Sequence, residues 1–330
     1  MGQHGLPAMR VAALDIGTNT VLLLIADVDS EKFHLVRDDH AIARLGEGVD
    51  RTHRISEAAY ERFIAIFREH QKTIAEFKCD CIIACATSAM RDAENRDEII
   101  QRTKRDSGIE IEILSGEVEA RLTYRGAVMG MTTLQTPPSV GGGDIAVVDI
   151  GGGSTEISVG TGDLFETGVS LDIGAVRLTE RYFAINPIPT EAIGEARQII
   201  RAALNHPPTH GRSYVAPSYS ASLHRRESSL IAVAGTPTTL AAMHQNMKAF
   251  DAAKVHGYVL QRDDIEHMME ILFHLDTATL LTRFPAVNKS RADILPAGTL
   301  ILTEVMDFLG ATQCTVSTQG LRYGIAMSAL

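Results

Sequence analysis

Short apolar runs and longer amphipathic stretches succeed one another along this chain, and the succession repeats. Residues 10–16 form an apolar run ending at Asp15-Ile16, residues 21–28 read as the returning arm of a hairpin, and residues 31–38 as a third strand. Residues 56–77 place Ala59, Phe63, Ile66, Phe67, Ile74 and Phe77 at helical spacing behind a capping Ser56, which predicts a long helix lying on that sheet. Residues 81–86 read as a buried strand and 110–114 as an alternating one, after which Ser115 caps a helix running to about residue 131. A second meander follows at 145–150, 155–159 and 164–169, then helices opening at 172–178 and spanning 190–204. A strand at 230–234, helices at 263–275 and within 292–309, a strand at 312–317 and a helix at 320–330 complete the chain. Alternating strands and helices, with a meander at the start of each half, predict an α/β protein.

Composition narrows the class. A length of 330 residues exceeds one ordinary hydrophobic core, so two domains are expected. An apolar fraction of 45% and a charged fraction of 22% are those of a soluble protein. The longest apolar run, 21–26, falls far short of the roughly 20 residues of a membrane helix. Residues 1–8 lack the basic and apolar regions of a secretory signal, and Leu6 breaks the match to a myristoylation signal; a cytoplasmic location is the expectation. Cys79, Cys81, Cys85 and Cys314 form no Cys-x-x-Cys pair, and the first three crowd one apparent strand as small core residues, so neither disulfides nor structural zinc are expected. A net charge of −10 argues against a nucleic-acid partner. An anionic substrate would have to be received locally, by loop amides, a few arginines and a metal ion. Residues 132–143 and 205–226 read as loops, the second a mobile one; its His206 and His210 lack the glutamate of a zincin motif, and His224-Arg225-Arg226 reads as a solvated charge cluster.

The chemistry concentrates at Asp149-Ile150-Gly151-Gly152-Gly153-Ser154-Thr155-Glu156. Three glycines in succession serve either a tight hairpin that needs positive φ or a nest whose amides approach an anion closely. On the second reading Asp149 and Glu156, which bracket the bend, are suited to a divalent cation. Asp15-Ile16-Gly17-Thr18-Asn19-Thr20 echoes this turn in the same strand context, and the echo reads as an internal repeat: two related lobes with a phosphate site in the cleft between them. Arg91, in the segment after the 81–86 strand, is suited to fork onto a phosphate or to pair at the surface with Asp92 or Glu94. Glu119 either complements the dipole of the helix it opens or serves as a general base for water. Gly235 and Thr236 open a helix after a strand, a third place for a phosphate or nucleotide-like group, and residues 288–291 form a short basic loop.

Taken in order, these motifs, with Ser115-Gly116-Glu117-Val118-Glu119-Ala120, Leu295-Pro296-Ala297-Gly298 and Ser317-Thr318-Gln319-Gly320-Leu321-Arg322-Tyr323-Gly324, resemble the Ppx/GppA family of exopolyphosphatases and guanosine pentaphosphate phosphohydrolases. The resemblance runs from about residue 10 to the C-terminus. It implies an α/β fold of two ribonuclease-H-like lobes, as in the actin, Hsp70 and sugar kinase superfamily, with an interlobe active-site cleft. We expect the lobes at 9–127 and 128–330, with the last helix, about 319–330, packing back on the first. The resemblance further implies Mg2+-dependent hydrolysis of a terminal phosphoanhydride. The family's catalytic glutamate precedes the alanine and so falls on Glu119, not Glu117. Asp149 and Glu156 match the acids associated with magnesium and the attacking water; Asn19, Arg91 and Gly151 to Ser154 match phosphate contacts. Val118 stands where the family often has a second acid, and Tyr323 where it often has glutamate. The extra helical domains of long members are not expected here, which by resemblance weakens processive handling of long polymers. The expected mechanism places the terminal phosphate of polyphosphate on the amides at 17–20 and 151–154. Guanosine pentaphosphate (pppGpp) is the alternative substrate, and an actin-like nucleotide-binding module without turnover is the alternative class. No membrane partner is expected, and a homodimer is compatible with the sequence.

Overall fold

A computed structural model of the protein describes residues 8–29, 32–132, 144–206, 214–215 and 229–330. The chain forms two compact units, Met1–Ser115 with Leu321–Leu330, and Gly116–Gly320.

The first unit is built on a five-stranded sheet of β1 (Met9–Ile16), β2 (Thr20–Val28), β3 (Phe33–Ile42), β4 (Cys81–Ala86) and β5 (Ile111–Ile113), in the order β3-β2-β1-β4-β5. The β1–β2–β3 meander is antiparallel, whereas β4 and β5 continue in parallel. Leu14, Ile16, Leu23 and Ile25 face the Glu57–Glu76 helix, whose Tyr60, Phe63 and Phe67 are fully buried against them. That helix begins where Ser56 accepts a hydrogen bond from Ala59 N at 3.2 Å, as the capping pattern predicts. Helix Leu321–Met327 packs on β1 and β2. Cys81 and Cys85 lie on β4 and Cys79 just before it; all are free thiols, and burial pushes that of Cys85 up to about 12.

The second unit repeats the plan. Its sheet contains β6 (Asp144–Ile150), β7 (Thr155–Thr161), β8 (Leu164–Leu171), β9 (Tyr214–Val215), β10 (Ser229–Val233), β11 (Val259–Gln261) and β12 (Gln313–Val316), in the order β11-β12-β10-β6-β7-β8-β9. Within it, β8-β7-β6-β10-β12 has the order and the antiparallel-then-parallel pairing of β3-β2-β1-β4-β5. The internal repeat is therefore a repeat of topology as well as of turn sequence. One face carries the larger core, in which Val148, Ile150 and Ile157 meet a helix, Leu295–Leu309, buried along most of its length. The other face, Ile145, Val147, Ile231 and Val233, is covered by Tyr124, Ala127, Val128 and Met131 of the Gly116–Thr132 helix.

That packing moves the boundary. The first unit ends at Ser115 and not near residue 127, because the apolar stripe of the 116–132 helix is buried against the second sheet. Of the expected loops, residues 133–143, 207–213 and 216–226 lie outside the described residues. Among the described residues no helix is long and apolar enough to cross a membrane.

Candidate active site

The turn at Gly17–Thr20 joins β1 to β2, and that at Gly151–Ser154 joins β6 to β7. Both are closed in the same way: Gly17 N–H donates to Thr20 O at 2.9 Å and Gly151 N–H to Ser154 O at 3.0 Å. In both, the carbonyls are tied from behind by a later segment. Gly46 N–H donates to Thr18 O at 2.8 Å, and the N–H groups of Ala43 and Arg44 donate to Asn19 O at 3.1 and 3.0 Å. In the second unit Ala175 N–H donates to Gly151 O, and the N–H groups of Val176 and Arg177 to Gly152 O, at 2.9, 2.9 and 3.1 Å. A trans peptide directs its C=O and N–H oppositely. Carbonyls drawn to one side therefore turn the amides of Asn19, Thr20, Gly152 and Gly153 to the other, the arrangement of an anion nest. None of the four turn glycines, Gly17 and Gly151 to Gly153, nor their neighbour Gly174, has a positive φ, so the plain-hairpin explanation of the glycines fails. A Cβ on Gly174 would lie 2.4 Å from Gly152 O, and one on Gly46 would lie 2.3 Å from Thr18 Cγ2.

The acids fall on one face of the second sheet. Asp149 and Glu156 are direct cross-strand partners on β6 and β7, so their side chains leave the sheet on the same side. Strand alternation places Asp149 with Ile145 and Val147, on the side covered by the Gly116–Thr132 helix. The two elements are joined there: Thr123 Oγ1 donates to Asp149 Oδ2 at 3.5 Å, and Ser158 Oγ donates to the helix carbonyl of Ala120 at 3.1 Å. Glu119 lies one turn before Thr123, on the same stripe of the helix, and is only 6% exposed. Glu156, 2% exposed, accepts a hydrogen bond at 2.7 Å from the fully buried Ser170. Sequence reasoning brought Glu119, Asp149 and Glu156 forward but missed Thr123 and Ser170, two hydroxyls in apolar strands and helices that carry no motif of their own.

Gly235 and Thr236 open the Gly235–His244 helix beyond the C-terminal end of β10, the strand next to β6; Val233 is the partner of Asp149. C-terminal strand ends are where α/β sheets collect ligands. The elbow is strained, with Ala234 at φ 76°. A Cβ on Gly235 would lie 1.7 Å from Arg291 Nη1, so the absent side chain makes space for a guanidinium. The 288–291 loop thus brings a cation to this end of the sheet, a placement its sequence alone does not disclose. Thr236 is buried against Gly298 of the Leu295-Pro296-Ala297-Gly298 motif.

In the first unit Arg91 lies on the Ser88–Asp92 helix, after the end of β4 and beside the Gly17–Thr20 turn, since Thr87 N–H donates to Ile16 O at 3.1 Å. Its side chain is buried and donates from Nη1 to Leu114 O at 3.0 Å, so it is not a surface arginine. Tyr323, at the position where glutamate is common, is buried and stacked on Phe33 with ring centroids 5.4 Å apart.

Among the described residues no group of three or more His, Cys, Asp or Glu side chains forms a metal cage. What the second unit offers is a carboxylate pair, a donor set that suits Mg2+, which keeps most of its water and takes one or two carboxylates together with substrate phosphates.

The chain has relatives among known proteins. The model of the Ppx/GppA phosphatase family matches residues 24–330. Exopolyphosphatase 2 of Mycobacterium tuberculosis is 33% identical over 334 residues, covering 97% of this chain and 98% of that protein. The crystal structure of the Aquifex aeolicus Ppx/GppA family member is similar with a TM-score of 0.78 at 31% identity, covering 98% of each chain. An exopolyphosphatase from Cytophaga hutchinsonii gives a TM-score of 0.83 at 25% identity over 97% of each. The second turn and the carboxylate pair lie inside the region that the family model matches, the relatives cover nearly the whole chain, and the chain belongs to the Ppx/GppA phosphatase family, as a phosphoanhydride hydrolase with the two-lobed actin-like ATPase fold.

Proposed function

We propose that this protein is an exopolyphosphatase, which removes the terminal phosphate of inorganic polyphosphate as orthophosphate. The observation that carries the reading is the common orientation of the turn carbonyls, which leaves the amides of Asn19 and Thr20 and of Gly152, Gly153 and Ser154 directed away from their backing segments. Polyphosphate offers anionic acceptors in succession and asks for no other recognition chemistry. The similarity to Exopolyphosphatase 2 supports the same substrate class.

In this reading Gly17, Thr18, Asn19 and Thr20 of the first unit and Gly151, Gly152, Gly153 and Ser154 of the second hold phosphate oxygens. Arg91 contributes positive charge beside the first turn, and Gly235 and Thr236 bind at the end of β10. Asp149 and Glu156 would hold Mg2+, whose chemistry there is to neutralise the phosphate oxygens as the anhydride breaks. Glu119 accepts a proton from a water molecule that attacks the terminal phosphorus in line. The bond from phosphorus to the bridging oxygen breaks, the shortened polyphosphate takes the electron pair, and the transferred group departs as orthophosphate.

A panel of orthophosphate release with and without Mg2+, from polyphosphates of several lengths, pppGpp, ATP and ADP, tests this. Mg2+-dependent release with polyphosphate preferred is the expected result. Preference for pppGpp would move the substrate to the nucleotide, and consumption of ATP only with an added acceptor would make the protein a kinase.

A further inference from the structure

The two phosphate turns are backed differently in one respect. Behind Gly17–Thr20 the tied carbonyls, Thr18 O and Asn19 O, are held by main-chain N–H groups of residues 43–46. Behind Gly151–Ser154 main-chain groups hold Gly151 O and Gly152 O, but Gly153 O accepts from a side chain, Arg177 Nε, at 2.9 Å. Arg177 is thus joined to the triple glycine twice, since its own N–H donates to Gly152 O at 3.1 Å.

The C=O of Gly153 and the N–H of Ser154 belong to one planar peptide and point opposite ways. Holding the carbonyl from behind therefore aims the Ser154 amide forward. Glycine imposes almost no preference on its own φ, so the hydrogen bond, not side-chain sterics, sets the orientation of this peptide. A turn of three glycines gains close approach and loses rigidity, and a guanidinium locked onto its last carbonyl restores the rigidity.

We propose that Arg177 is a positioning residue for substrate binding: it fixes the Ser154 amide toward the phosphate and so sets affinity, without taking part in proton transfer. The proposal rests on the reading that the 151–154 amides bind phosphate. It is tested by steady-state kinetics on polyphosphate and by the inhibition constant of orthophosphate, for Arg177→Met, Arg177→Lys and Gly174→Ala, with thermal unfolding of each. Arg177→Met is expected to raise KM and the orthophosphate inhibition constant together, by about tenfold, with kcat held within a factor of about three. Arg177→Lys should recover part of the loss. An unchanged KM in Arg177→Met, whether or not its unfolding temperature falls, would reduce Arg177 to a structural side chain and overturn the proposal. Gly174→Ala presses a Cβ against the turn backbone itself, so if it raises KM while Arg177→Met does not, the phosphate reading stands and the proposal alone fails; if neither variant moves KM or the inhibition constant, the phosphate reading of this turn fails with it.

Discussion

Asp149 and Glu156 face each other directly across β6 and β7, and each carboxylate is met by a buried hydroxyl, Thr123 for the first and Ser170 for the second. The Ser170 bond, at 2.7 Å, is the tighter of the two. If the pair holds Mg2+, removing the hydroxyl that orients one ligand weakens the metal. Ser170→Ala should raise the Mg2+ concentration for half-maximal phosphate release by about tenfold, in parallel with a loss of Mg2+ affinity read by calorimetry. A parallel fall in kcat at saturating Mg2+ would instead point to a direct part in the chemistry.

Glu119→Gln preserves shape and hydrogen-bonding length at a site only 6% exposed, so it isolates the carboxylate. Turnover of polyphosphate should fall by about 100-fold or more, with polyphosphate binding retained. Near-normal turnover would remove Glu119 from the role of base.

Two glycine-to-alanine changes separate steric demand from conformational demand. Gly174 is extended, with φ −141° and ψ 160°, a conformation alanine adopts freely, yet its Cβ would strike Gly152 O and Gly153 C at 2.4 and 2.5 Å. Both are backbone atoms of the phosphate turn. Gly174→Ala should destabilise the protein by about 1–3 kcal/mol and raise KM for polyphosphate. Gly194, on the Thr190–Asn205 helix, meets nothing within 4 Å, and Gly194→Ala should stabilise by about 0.5–1 kcal/mol with kinetics unchanged. Chemical denaturation of both variants checks the contrast.

Acid should act on the first unit through Asp38. Its carboxylate receives Arg322 Nε and Nη2, each at 2.8 Å, and His40 Nε2 lies 3.2 Å away. Burial alone would raise the Asp38 carboxyl, but the bonds from His40 and Arg322 outweigh it and hold it at about 2, against 3.8 ordinarily. A carboxyl depressed in the folded state contributes its stability above 3.8 and loses it as the pH falls toward 2, here about 2 kcal/mol. Arg322→Met leaves Asp38 buried beside a lost partner, which should destabilise by about 3–5 kcal/mol at neutral pH and remove most of this acid dependence. Denaturant midpoints between pH 2 and 7 would read both effects.

His70 gives a second, milder window. It is buried on the helix Glu57–Glu76, and burial lowers its imidazole below the usual 6.5. The unfolded chain therefore takes up the proton first, and stability is lost as the pH falls below about 6.5. His70→Phe should flatten that part of the profile.

How legible was this in the sequence? The two meanders and their Asp-x-Gly turns were, because apolar runs closed by glycine and hydroxyl residues signal both a buried strand and the site at its end. The Arg96–Ser107 helix was not, since its buried face is Ile99, Thr103 and Ser107. The hydroxyls there bond back to Ile99 O and Thr103 O, so two polar residues occupy inward positions and erase the apolar period. The unit boundary was misplaced for a related reason: the 116–132 helix is amphipathic, but amphipathicity does not name the sheet that covers it. The ties behind the glycine turn of the second unit connect residues 24 or 25 apart, mostly through backbone N–H groups that every sequence possesses. Only Arg177 and the crowded Gly174 mark them, and neither stands out until the carbonyls are located.

Arg322 and Asp38 are 284 positions apart, yet both belong to the first unit. During synthesis the strands β1 to β5 emerge early, but the helix that covers β1 and β2 is made only after the whole second unit has been synthesised. The lobe that begins folding first is therefore completed last, and a chain interrupted anywhere in the second unit would carry an uncovered sheet face rather than a finished N-terminal domain.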